Sequence, residues 1–251
     1  MELPLLDPAH PLFPDPATAL SEPDGLLAAG GNLSVATLLS AYQQGIFPWY
    51  EEGQPILWWS PNPRAVIVPE KIHISKSLAK TLRRGGYRVT TDQAFERVIN
   101  ACAEPRPEHL ERPGESHTWI SPEMIAAYIR LFEAGHAHSV EYWLDDQLCG
   151  GLYGLAMGNV FCGESMFSRA SNASKIAFSH LAKGLEKAGF VLIDCQVEND
   201  HLNSLGAQAM AREDFIAILN EAADITIDWP TKLISTKVST EEDPHLYKAN
   251  N

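Results

Sequence analysis

Three polar side chains interrupt two otherwise apolar stretches, and their types suit the handling of a proton. In FVLIDCQV (190–197), Asp194 and Gln196 stand two residues apart. A strand repeats its side-chain direction every two residues, so both are expected on one face, with Ile193 and Cys195 on the other. A carboxylate beside an amide gives two acceptors for the hydrogens of an amine; the competing reading is a satisfied structural pair. In NVFCGESMF (159–167), Glu164 breaks a second apolar strand. Gly163 before it predicts a bulge that would turn Phe161 and Glu164 toward one cavity, the alternative being an edge strand with Glu164 in water.

A second constellation is a concentration of positive charge. Lys71, Lys76, Lys80, Arg83, Arg84 and Arg88 fall within residues 71–88 with no acid among them. On a helix, Lys76, Lys80 and Arg83/Arg84 share one face while Leu78 and Leu82 point elsewhere. The chain as a whole carries a formal charge of -13, from 19 Lys+Arg against 32 Asp+Glu. Like charge concentrated on so acidic a protein points to an anionic partner, a phosphate backbone first, over a merely solvated face. The histidines of GHAH (His136, His138) and His201 have no carboxylate or cysteine at ligand spacing, so no metal is assigned. No G-x-S-x-G elbow occurs.

These groups need elements to hold them. Residues 1–63 contain seven acids and no Lys or Arg, and the first cation is Arg64, after the proline-bracketed SPNP. That break predicts a small N-terminal α/β domain over 1–62. Within it, LSVATLLSAYQQG reads as a helix capped by Ser34 and stopped by Gly45. From 63 to 232 the pattern alternates. AVIV is a strand, SKSLAKTLRRGG a helix capped by Ser75, YRVTT a strand and DQAFERVINACA a helix. SPEMIAAYIRLFEAG is a helix with Ser121 as cap and Pro122 in its first turn. Three strands follow, the first two joined by a hairpin at DDQ, then the helix NASKIAFSHLAKGLEKAG, the Asp194 strand, a helix start at NDHLNSLGAQ and a strand–turn–helix at MAREDFIAILNEA. The polar residues 104–117 read as a loop, and 233–251 as a disordered tail. The fold class expected is α/β (α+β) with a mixed, largely antiparallel sheet.

At 251 residues and 45% hydrophobic content the chain can bury a sizeable core. No apolar run is long enough for a membrane span, and the N-terminus lacks the basic start of a secretory leader. Four cysteines without CxxC spacing (Cys102, Cys149, Cys162, Cys195) suit a reducing cytoplasm better than a disulfide framework.

The strings GGNLS, GIFPWY, ILWWSPNPR, TWI, GHAHSVE, FCGESMFSRASNASK and LIDCQVENDHLNSLGA, in that order, resemble the leucyl/phenylalanyl-tRNA–protein transferases from about residue 11 to about 220. The resemblance implies a small N-terminal domain and a C-terminal domain of the GCN5-related N-acetyltransferase type. It implies transfer of Leu or Phe (also Met) from Leu-tRNA or Phe-tRNA to the α-amine of proteins beginning with Arg or Lys. Such proteins are thereby marked for N-end-rule degradation. It further implies a monomer without a cofactor. By the same resemblance Asp194 and Gln196 are the catalytic pair, and Trp49, Trp119, Phe161, Glu164, Leu185 and Asn199 bind substrate. Leu181 is an alternative to Leu185. The basic helix, with Lys76, Lys80, Arg83 and Arg84, is left to bind the RNA. The chemistry is compatible with the residues alone. Turning an ester into an amide needs no metal or covalent nucleophile, only a held amine, a proton acceptor and an ester carbonyl within reach. An acyl-CoA N-acetyltransferase would need a Q/R-x-x-G-x-G/A loop, where SRASNASK has no glycine. A non-enzymatic RNA-binding module would leave Glu164, Asp194, Gln196 and the tryptophans without a role.

Overall fold

A computed structural model describes residues 3–105 and 118–233. The expected loop at 104–117 and tail at 233–251 therefore lie, except for their first residues, outside the described residues. The first part holds a four-stranded sheet of short strands, β1 (Leu5–Leu6), β2 (Leu26–Gly30), β3 (Phe47–Pro48) and β4 (Leu57–Trp59), in the order β1-β2-β4-β3. Helix α1 (Val35–Gln43) lies between β2 and β3 in the chain. Ser34 caps it through its Oγ, which accepts from the amide of Thr37.

A seven-stranded sheet follows, built from β5 (Arg64–Ile67), β6 (Arg88–Thr91), β7 (Ala137–Leu144), β8 (Gln147–Met157), β9 (Val160–Ser168), β10 (Leu192–Gln196) and β11 (Gln208–Met210). Its order is β11-β5-β10-β9-β8-β7-β6. Only β9 and β10 run parallel, so the sheet is mixed and largely antiparallel, as expected. A parallel neighbour needs a crossover, and the sixteen-residue helix α5 (Ala173–Ala188) supplies it. Helices α2 (Lys76–Arg84), α3 (Phe95–Cys102), α4 (Pro122–Glu133), α6 (Asp200–Asn203) and α7 (Arg212–Ala222) complete the α-helices among the described residues. Ser75 and Ser121 cap α2 and α4 through their Oγ atoms, each cap contributing about 1 kcal/mol.

The sheet separates two apolar cores. One gathers α3, α4 and α7 together with α1 and Trp58, so residues before and after Arg64 share it. The other gathers α2 and α5 with the segment after α7, including Leu233, which is 5% exposed. Leu233 thus belongs to the core and not to the tail to which the sequence reading assigned it. Its burial against α5 is the physical reason. Among the described residues no helix is long and apolar enough to cross a membrane.

Candidate active site

The parallel pair β9–β10 keeps register only from Leu192 opposite Val160 to Asp194 opposite Cys162. Beyond that point each strand bulges. Tyr153 of β8 faces Ser165 and Gly154 faces Gly163, so Glu164 is the extra residue of the bulge expected from Gly163. On β10, Val66 faces Asp194 and Ala65 faces Gln196, which leaves Cys195 over and puts Gln196 at φ 63°. The strands part, and a cleft of about 1340 Å³ is lined from both.

Glu164 sits in the wall of this cleft. Its Oε1 accepts from Nε2 of Gln196 at 2.8 Å, and its Oε2 from the Tyr128 hydroxyl at 2.8 Å. That hydroxyl is in turn hydrogen-bonded to the hydroxyl of Tyr42. Because the Tyr128 proton points at Glu164, Tyr42 is the donor in this second bond. Burial pushes the Glu164 carboxyl from 4.5 up to about 7, against the opposing pull of the tyrosine hydroxyls beside it. Burial and the nearby Glu164 charge hold both tyrosines well above 10, so they stay protonated and act as donors. The result is a polar chain from α1 through α4 and β9 to β10, ending at the cleft.

Asp194 departs from expectation. Its carboxylate accepts from Nε of Arg64 at 2.8 Å and from Nη2 at 2.7 Å, with both side chains essentially inaccessible. Arg64 also donates Nη1 to the carbonyl of Gly45 and lies between the rings of Phe47 and Phe215, at 4.8 and 4.7 Å. Asp194 is among the residues that line the cleft, but its side chain is 0% exposed and both oxygens are engaged by Arg64. The side chain buries into a bidentate ion pair that the sequence spacing did not contain. It also holds Gln196, whose backbone N–H donates to Asp194 Oδ1 at 2.9 Å. Asp194 and Gln196 do lie together, but through the bulge and not through a period of two.

Trp49, Trp119, Phe161, Glu164 and Asn199 all line the cleft. Trp49 is 43% exposed at the rim, tilted against Trp59 with ring centroids 5.6 Å apart. The Oδ1 of Asn199 is committed to capping α6, accepting from the amide of Leu202. Leu185 does not line the cleft; it is fully buried in the second core. Phe178, two turns nearer the N-terminus of α5 and on the same helix face, takes the place expected for it. With Leu152, Phe161, Met166 and Ile193 it forms an apolar end to the cleft. Lys76, Lys80, Arg83 and Arg84 are exposed on α2, and none of them lines the cleft. Helix α2 packs on α5, whose first two turns do. Lys175, from those turns, puts Nζ 2.8 Å from Ser204 Oγ and is a cation within the cleft itself. Among the described residues no cluster of His, Cys, Asp and Glu could hold a metal ion.

Sequence reasoning missed Arg64, Tyr42, Tyr128, Phe178 and Lys175. Arg64 left a trace, as the cation that ends a 63-residue stretch without one. The two tyrosines left none, because both fall at positions of an apolar helix stripe.

The chain matches the family described as leucyl/phenylalanyl-tRNA protein transferase over residues 66–220, and the N-terminal domain of the same description over residues 31–62. A leucyl/phenylalanyl-tRNA–protein transferase of Pseudomonas syringae pv. syringae is 55% identical over 224 residues, covering 88% of this chain and 95% of that protein. One from Chromobacterium violaceum is 52% identical, covering 87% and 91%. Among solved structures, L-PGS from Bacillus licheniformis overlays with a TM-score of 0.37 at 11% identity, over 62% of this chain and 48% of that one. A conserved protein of unknown function from Bacteroides thetaiotaomicron gives 0.36 at 10%, over 76% and 63%. Overlap that slight transfers neither fold nor chemistry.

Proposed function

The chain belongs to the leucyl/phenylalanyl-tRNA–protein transferase family, and from that premise we propose that its cleft joins Leu or Phe, carried by tRNA, to the α-amine of a protein beginning with Arg or Lys. It is an aminoacyltransferase, acting on aminoacyl-tRNA and a protein acceptor. The observation that carries the finer reading is the Glu164–Gln196 pair, set where the strands part and adjoining the apolar end of the cleft.

In this reading the acceptor amine lies against Glu164 and Gln196. An α-ammonium titrates at about 7.7–8.0, so only roughly a tenth is neutral near pH 7. A solvated carboxylate near 4.5 would take its proton poorly. Glu164, at about 7, lies within about one pH unit of the ammonium, a gap of about 1.4 kcal/mol. Burial also favours the neutral acid–amine pair over the charged one. The freed nitrogen attacks the ester carbonyl carbon. The C–N bond forms, the C–O bond to the ribose breaks, and the ribose oxygen leaves with a proton. Gln196 orients the amine, and Asp194 acts as a positioning residue by holding the backbone of Gln196. The apolar end receives the Leu or Phe side chain. Lys175 faces the phosphate nearest the ester, and the exposed cations of α2 extend that field along the RNA. The acceptor's basic side chain is drawn to the Glu164 end by charge. We assign the protein to the reducing cytoplasm as a monomer, with residues 1–62 as a small first domain that shares a core with the second, which runs from 63 to 233.

The test uses tRNA charged with labelled Leu. A peptide beginning with Arg should empty it, one beginning with Ala should not, and uncharged tRNA should bind without turnover. Equal transfer to both peptides would remove the acceptor assignment. Retention of Leu on the tRNA with every peptide would remove the reaction.

A further inference from the structure

After α7 the chain returns across the face of the sheet that carries α5, and residues 227–233 pack there. A Cβ added at Gly184 of α5 would meet Cδ2 of Leu233 at 2.4 Å and Pro230 at 3.6 Å, so this stretch lies directly on the helix and Leu233 fills the space that the glycine leaves. Trp229 sits between its neighbours with little freedom. Its ring stacks on His138 at 4.1 Å and 9°, meets Phe190 edge-on at 6.2 Å, and donates Nε1–H to Thr91 Oγ1 at 2.7 Å. His138 is itself fixed, with Nδ1 2.9 Å from Asp92 Oδ2, while Asp92 Oδ1 accepts from the amide of Ser139.

Trp229 also meets Phe161, tilted at 31° with ring centroids 5.4 Å apart. Phe161 lines the cleft and Trp229 does not. The Phe161 ring lies across Gly154, where an added Cβ would come within 2.6 Å of its Cζ. It therefore has glycine beneath it, the cleft before it and the indole behind it. The ring is 1% exposed within the second core, and Trp229 is one of the groups packed against it there.

We propose that Trp229 is a specificity-determining positioning residue: by backing Phe161 it sets the size of the apolar end, and hence which donor side chain is transferred. This rests on the reading that Phe161 faces the donor side chain. A rigid slot accepts a side chain branched at Cγ or carrying a ring and rejects the Cβ branch of Ile, whose χ1 is restricted. Apolar pockets separate such near-isomers by roughly 10–200-fold, all of it from shape. A wall that can retreat gives up part of that factor.

The experiment measures kcat/KM for Leu-tRNA and Ile-tRNA with one Arg-starting peptide, alongside a thermal melt. The proteins are wild type, Trp229→Leu, Trp229→Phe and Phe161→Leu. Trp229→Leu should lower the Leu/Ile ratio by about tenfold, within the range such pockets span. Trp229→Phe, which keeps a ring against both His138 and Phe161, should restore most of it. A folded Trp229→Leu protein with an unchanged ratio, beside a lowered ratio in Phe161→Leu, overturns the inference and leaves the pocket reading standing. Unchanged ratios in both overturn the assignment of Phe161 to the donor side chain, and the inference with it. Should Trp229→Leu show no melting transition, Thr91→Val takes its place, removing the indole's hydrogen bond without touching the cleft. A fall in the ratio is then expected, and an unchanged ratio again overturns the inference.

Discussion

Replacing Glu164 by Gln removes a carboxyl group that titrates near neutrality, with opposite consequences for folding and for turnover. Burial raises this group from 4.5 to about 7, so the folded protein holds the proton more tightly than the unfolded chain does. Stability from this site is therefore greatest below about 4.5, falls as the pH rises through about 7, and levels off above it. The full span corresponds to about 3 kcal/mol. Gln cannot titrate and escapes that loss. It also carries one oxygen where Glu164 has two, although Gln196 can turn its amide to present its own oxygen, so the misfit costs about 1 kcal/mol. Glu164→Gln should then match wild type near pH 5 and exceed it by about 2 kcal/mol at pH 8, or about 4–8 °C in melting temperature. Transfer from Leu-tRNA should nevertheless fall by about 10²–10⁴-fold, the usual cost of losing a placed proton acceptor. Melts at the two pH values, run beside single-turnover transfer, measure both effects. A variant less stable than wild type at pH 5 and pH 8 by the same amount would show that Glu164 is not a carboxyl raised by burial. Wild-type turnover in the folded variant would show that another group takes the proton.

Asp194→Asn should cost about 3–5 kcal/mol in urea unfolding, because it strands a buried guanidinium. The double change Arg64→Met with Asp194→Leu should recover most of that stability but not the activity, since Gln196 still lacks its backbone acceptor; recovered activity would deny Asp194 a positioning role. Changing Lys80, Arg83 and Arg84 to Ala should flatten the salt dependence of tRNA binding by about one slope unit per lost phosphate contact, and an unchanged slope in filter binding would put the RNA elsewhere. Phe178→Ala and Leu185→Ala should each destabilise by about 2–5 kcal/mol, yet only the first should narrow the Leu/Ile ratio, because only Phe178 lines the cleft.

Helices announce themselves in this sequence where a hydroxyl cap precedes an apolar stripe. Ser34, Ser75 and Ser121 were each readable as caps, and each Oγ accepts the amide three residues on. Glycine before Glu164 told of the bulge for the same local reason. The strands of the first sheet, some only two residues long, are too short for a period of two to show. Asp194 was misread because its partner lies 130 residues away, and spacing within a strand holds no record of an ion pair closed by the tertiary fold. Leu185 was placed on the right face of α5 but in the wrong turn. Helical periodicity gives a direction around the axis, while the height along it depends on where the neighbouring strands part. Tyr42 and Tyr128 count as apolar in any pattern, so their hydroxyls became visible only once the carboxylate between β8 and β10 was in place.

The hydrogen-bonded chain that begins at Tyr42 also limits how this protein can be taken apart. Arg64 leans on Phe47 and on the carbonyl of Gly45, and Glu164 receives Tyr128, which Tyr42 supports. A chimaera that joined the first sixty residues of one relative to the remainder of another would cut through both arrangements. Its success should follow whether the donor brings a tyrosine, a glycine and a phenylalanine to those three positions, more than the overall likeness of the parents. A fragment starting at Arg64 would expose one face of its core and leave the guanidinium without half of its surroundings. Residues 1–62, which bring Phe47, Pro48 and Trp49 to the cleft, should thus behave less as a detachable module than as one wall of the proposed site.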